Sequence, residues 1–82
     1  MKASIADITE RLIEIISQLL RIKHNDILLT DSLQPMGADS LDILELSMLI
    51  EDEFAIDLDI ERVKLTEQDT INDWITLIKE NI

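Results

Sequence analysis

Apolar residues recur at Ile5, Ile8, Leu12, Ile15, Ile16 and Leu19, the spacing that keeps one face of a helix dry. Ser4 with Asp7 three positions later resembles a capping box with Asp in the place usual for Glu, so a first helix is predicted from Ser4 to about Arg21. From Lys23 to Asp39 the periodicity fails. His24-Asn25-Asp26, Thr30-Asp31-Ser32 and Pro35 interrupt it, which predicts a long ordered loop with Ile27, Leu28, Leu29 and Leu33 turned into the core. Asp39 then stands as an N-cap before a second helical run that reaches Phe54, with Asp42 at the third helical position. Asp59 to about Lys64 suffices for one or two turns of a short third helix. Thr70 with Asp73 caps a last helix whose Ile71, Trp74, Ile75 and Ile78 share a face. The pattern contains no repeat, no low-complexity segment and no strand. The expected fold is all-α, a small irregular four-helix bundle of three main helices and a short third one, with the long loop between the first and second.

The second helix carries apolar residues on two sides. Ile43, Leu46, Ile50 and Phe54 fall on one, and Leu41, Leu44 and Met48 on another, with Asp42, Glu45, Glu51 and Asp52 alongside or between them. Only one side can pack on the rest of the bundle, unless so small a domain buries both. The other is expected to be a docking surface, an apolar ridge rimmed with carboxylates that steer a basic partner into place.

Composition narrows the classes. With 82 residues the chain forms one domain, 1–82, with a single marginal core. There is no cysteine, so apolar packing alone must hold the fold, and no thiol serves as metal ligand or nucleophile. Apolar residues make up 46% of the chain, enough to order so acidic a sequence. Eighteen acidic residues against seven basic ones leave a net charge of −11, which argues against nucleic acid or an anionic membrane and for basic protein surfaces as partners. No apolar run approaches the roughly 20 residues of a membrane span, and the start of the chain lacks the pattern of a secretory signal. A cytoplasmic monomer is expected.

Gly37-Ala38-Asp39-Ser40-Leu41 places a hydroxyl in the first turn of the second helix, after a flexible approach of small residues. Serine favours that place for its own reasons. A phosphodiester on Ser40 would, however, face unpaired N–H donors and the positive end of the helix dipole. His24 is the only imidazole and lies in the loop, so a hydrolase built on Ser40 lacks a base. Asp57-Leu58-Asp59 and the second-helix acids lack the central glycine of a calcium loop, and no metal site is expected.

Gly37-Ala38-Asp39-Ser40-Leu41-Asp42, followed by Glu45-Leu46 and Glu51-Asp52-Glu53-Phe54, resembles the phosphopantetheine attachment region of bacterial type II acyl carrier proteins. The likeness is strong over Gly37–Phe54 and looser over the rest. It implies a carrier rather than an enzyme. A phosphopantetheinyl transferase would move the phosphopantetheine of coenzyme A onto Ser40, flanked by Asp39 and Leu41, and the thiol of the arm would hold acyl groups as thioesters. Leu41, Asp42, Leu44, Glu45, Met48, Glu51 and Asp52 would meet partner synthases, ligases or transferases through their basic docking patches. Ile43, Leu46, Ser47 and Ile50, facing Ile60 or Val63, would line an acyl pocket between the helices.

Three departures from the family's usual pattern bear on the pathway. Gln34-Pro35-Met36 replaces an acidic residue and Leu ahead of the glycine, the segment Leu58 to Asp69 is longer, and Trp74 stands where a small residue is common. A specialised lipid or polyketide pathway therefore competes with general fatty acid biosynthesis. Gly37-Ala38 argues against peptidyl carriers, which usually show Gly-Gly there. The rival reading is an unmodified acidic helical adaptor that binds a basic protein through the second helix.

Overall fold

In the computed structural model, which describes residues 4–58 and 64–82, each helix begins at the cap its sequence supplies. Ser4 is extended and its hydroxyl accepts from the Asp7 N–H, starting α1 (Ile5–Leu20). Asp7 does not return the bond as a full capping box would; its carboxylate accepts from Arg11 Nη1 at 3.2 Å instead. Asp39 and Asp42 exchange side-chain-to-backbone bonds at the start of α2 (Ser40–Phe54), and Thr70 and Asp73 do the same for α3 (Ile71–Asn81). Such boxes satisfy two donors that the helix cannot reach.

Helix ends are less comfortable. With its one glycine used elsewhere, the chain stops α1 with Arg21 at φ 56° and α2 with Ala55 at φ 53°. A side chain in this left-handed region costs about 1 kcal/mol or more. Ala55 is exposed, and Ala55→Gly is expected to raise unfolding free energy by up to about 1 kcal/mol, read in urea melts with an unchanged slope. The last turn of α2 also gathers Glu51, Asp52 and Glu53 at the negative end of its dipole and has no basic residue of its own. Arg11 of α1 supplies the missing cation. Its Nη2 donates to the Glu53 carbonyl at 2.6 Å, its Nε to the Glu53 carboxylate at 2.9 Å, and its guanidinium lies 4.4 Å from the centre of the Phe54 ring. The bond to Glu53 holds the Arg11 pKa above its ordinary value against desolvation, with Asp7 adding to the rise.

The core joins Ile8, Leu12 and Ile16 of α1, Leu46 and Ile50 of α2, and Ile71, Trp74, Ile75 and Ile78 of α3, closed by Ile27, Leu33 and Leu58. Each such aliphatic side chain contributes roughly 1.5–3 kcal/mol by leaving water. α1 is the hub, packing on both other helices, while α2 and α3 touch each other less. This is the expected all-α bundle. The short helix anticipated from Asp59 falls on residues 59–63, outside those described.

The long loop is ordered because it finishes α3. Carbonyls of Asp31 and Leu29 accept from the N–H groups of Ile71 and Asn72, both at 3.0 Å, and Ser32 pairs with Thr70 in an isolated bridge. Gln34 N–H adds a 2.7 Å bond to the Glu67 carbonyl. Two short 3-10 turns, His24–Asp26 and Gln34–Met36, shape the loop. Ile27 and Leu33 are buried and Leu29 half-buried, but Leu28 is 62% exposed and does not reach the core. Its N–H is held by the Asp31 carboxylate at 3.2 Å, which turns the chain so that Leu28 points outward between two inward neighbours.

Candidate functional site

The approach to α2 is a fixed turn rather than a flexible lead. Gly37 N–H donates to the Gln34 carbonyl at 3.0 Å and Ala38 N–H to the Leu33 carbonyl at 3.2 Å, while the Ala38 methyl is buried. Gly37 sits at φ 94° with open space where a Cβ would be. Glycine is required there for its backbone conformation, not for room. The turn delivers Asp39 extended into the cap position, and Ser40 follows as the first helical residue, exposed to solvent.

The donors around Ser40 decide what can sit there. Asp39 Oδ1 accepts from Asp42 N–H at 2.9 Å and Asp42 Oδ2 from Asp39 N–H at 3.0 Å, and Ile43 N–H bonds the Asp39 carbonyl. The N–H groups of Ser40 and Leu41 meet no acceptor among the described residues. The equivalent pair in α3, Ile71 and Asn72, is taken by loop carbonyls. Two free N–H groups beside an exposed hydroxyl fit the anionic oxygens of a phosphodiester. The two box carboxylates already lie at the positive end of the helix, so the dipole's own contribution is smaller than an uncapped helix would give.

Around its circumference α2 shows three arcs. Leu46, Ser47 and Ile50 are buried and Ile43 and Phe54 half-buried, forming the inner arc. Leu41, Leu44 and Met48 are exposed, at 73%, 42% and 57%. Glu51 borders this outer ridge, but its carboxylate accepts from the Leu58 N–H at 2.9 Å, so it also secures the chain leaving α2. Between ridge and core runs a third arc of Asp42, Glu45, Leu49, Asp52 and Glu53, which with Ile15, Gln18 and Leu19 of α1 and its C-cap Arg21 lines an open groove of about 620 Å³. Leu49 and the α1 side of this groove were not anticipated. The i, i+3, i+7, i+10 spacing of Asp42, Glu45, Leu49 and Asp52 already aligns them in the sequence, but only packing shows that α1 completes the wall.

Of the residues expected to line an acyl pocket, Ile43, Leu46, Ser47 and Ile50 share the inner arc, and the Ser47 hydroxyl donates to the Ile43 carbonyl at 3.0 Å. Ile60 and Val63 lie outside the described residues. His24 is exposed, its Nε2 2.6 Å from the Glu14 carboxylate of α1, where it ties the loop to that helix. Among the described residues no cluster of three or more potential metal ligands forms, and no helix is long and apolar enough to cross a membrane.

The sequence matches the family described as "Phosphopantetheine attachment site" over residues 10–78, from within α1 through both caps and the loop to α3. The chain belongs to this family, and its domain is a site of covalent phosphopantetheine attachment.

Proposed function

We propose that Ser40 is the residue that receives the arm, and that the chain is an acyl carrier protein of the bacterial type II kind. The contrast between two helix starts supports this most directly: α3 has its first N–H groups filled by the loop, whereas α2 leaves those of Ser40 and Leu41 open beside an exposed hydroxyl. In the transfer, Ser40 Oγ bonds the phosphorus of the phosphopantetheine, its proton goes to the transferase, and the P–O bond to the nucleotide half of coenzyme A breaks. When bound, the arm supplies a thiol that holds an acyl group as a thioester. Asp39 and Asp42 fix the turn on which Ser40 stands, and the open N–H pair would hold the phosphate.

The chain itself catalyses nothing in this reading. Leu41, Leu44 and Met48 form the apolar contact for acyl-handling enzymes, and Asp42, Glu45 and Asp52 steer their basic patches, with Glu51 at the border. It acts in the cytoplasm, as a monomer, in fatty acid biosynthesis or a specialised lipid or polyketide pathway. Gln34-Pro35-Met36 and Trp74 favour the specialised one. The test is incubation with coenzyme A and a broad-specificity transferase, followed by peptide mapping. One added phosphopantetheine on the peptide containing Ser40 is expected. An unmodified chain, or an arm on another residue, sinks the assignment.

A further inference from the structure

Trp74 is fully buried, and its indole Nε1 meets no hydrogen-bond acceptor among the described residues. Buried donors almost always have partners, because an unmade bond in an apolar interior is costly. The helix cores hold one other buried polar side chain among the described residues, Ser47 on α2, whose hydroxyl donates to the Ile43 carbonyl and so keeps an oxygen able to accept. The indole does not use it. Phenylalanine would fill much the same space without leaving a donor unpaired, so the N–H asks for an acceptor that arrives from elsewhere.

Trp74 lies one turn into α3, its backbone N–H bonded to the Thr70 carbonyl. Thr70 pairs with Ser32, and the next residue, Leu33, takes the Ala38 N–H that leads into Ser40. The helix turn that carries Trp74 is therefore tied, through the loop, to the segment from which an arm on Ser40 would start. The seam between α2 and α3 is also the one where helices touch least, and a chain entering the core would part it most easily.

We propose that the Trp74 indole N–H recognises an oxygen on the acyl chain itself, a keto or hydroxyl group, when that chain is drawn into the core. This rests on Ser40 carrying the arm. Trp74 thereby selects oxygen-bearing cargo over plain hydrocarbon, since an oxygenated chain would supply the missing acceptor and a saturated one would leave the N–H unpaired. The selected substrates belong to the class made by acyl condensation or by reduction of its product.

Trp74 is the only tryptophan, so its indole N–H gives a single, separate nuclear magnetic resonance signal. The protein is loaded in parallel with octanoyl, 3-oxooctanoyl and 3-hydroxyoctanoyl phosphopantetheine from the corresponding coenzyme A thioesters. The thioester carbonyl is common to all three and cancels. With the oxygenated chains the indole proton should move downfield and exchange roughly tenfold more slowly than with octanoyl, the size of one ordinary net hydrogen bond. Trp74→Phe should erase any difference in melting temperature between octanoyl and oxygenated forms. An indole signal identical in all three loaded forms, or one bonded to the same retained water throughout, overturns the proposal while leaving the carrier reading intact. A chain that accepts no arm at all overturns both.

Discussion

Ser40→Ala should abolish loading altogether yet melt within about 2–4 °C of the wild type. The serine is exposed and its hydroxyl makes no hydrogen bond to any described residue, so its loss removes the oxygen proposed to carry the arm and nothing that holds the fold. Surface substitutions of this kind shift stability by no more than about 0.5 kcal/mol. Asp39→Ala should behave in the opposite way. Removing the N-cap breaks the bond to the Asp42 N–H and costs about 1 kcal/mol, which for a domain of this size lowers the melting temperature by roughly 4–8 °C. It leaves the Ser40 oxygen in place, and loading should slow rather than stop. Intact mass after transferase treatment and a thermal melt on each variant read the two effects separately. If Ser40→Ala still gains an arm, or if it melts as low as Asp39→Ala, Ser40 is not a dedicated attachment point.

The contrast explains what in this chain is legible from sequence. Caps are local, and Ser4, Asp39 and Thr70 start helices where three neighbouring residues said they would, because a side-chain oxygen within reach of the N3 N–H is a property of four consecutive positions. The inner face of α2 was equally readable from spacing. Arg11 was not, since its work lies across the bundle: it supplies the positive charge that α2's last turn lacks, from a residue 42 positions away. The same limit applies to the groove between α1 and α2, whose acidic wall is periodic in sequence and whose other wall is a consequence of packing. Leu28 shows the converse failure. Four apolar residues in one loop suggested four anchors, but a carboxylate bond to its own N–H placed it at a turn, and a turn has an outside. At Ser40 the motif singles out a serine at a helix start, while the open N–H pair that distinguishes its helix from α3 depends on where the loop spends its carbonyls.

Trp74→Ala should be the most damaging single truncation in α3. The indole is fully buried on the helix that α1 and the loop both hold, and removing a side chain of this size from a core costs about 3–5 kcal/mol through lost burial and the cavity left behind. A domain of this kind has about 5–15 kcal/mol in all, and at roughly 4–8 °C per kcal/mol the melting temperature should fall by some 12–40 °C. Relief of the unpaired Nε1 works against this loss but is the smaller quantity, since only one donor is involved while the whole bicyclic ring gives up its contacts. Trp74→Phe separates the two: it keeps a ring in the core and removes the orphan donor, and in the unloaded protein it should cost far less than the alanine variant. A fall of under about 5 °C for Trp74→Ala would mean that the core closes over the missing ring. Trp74 would then not be what fills the space between the helices.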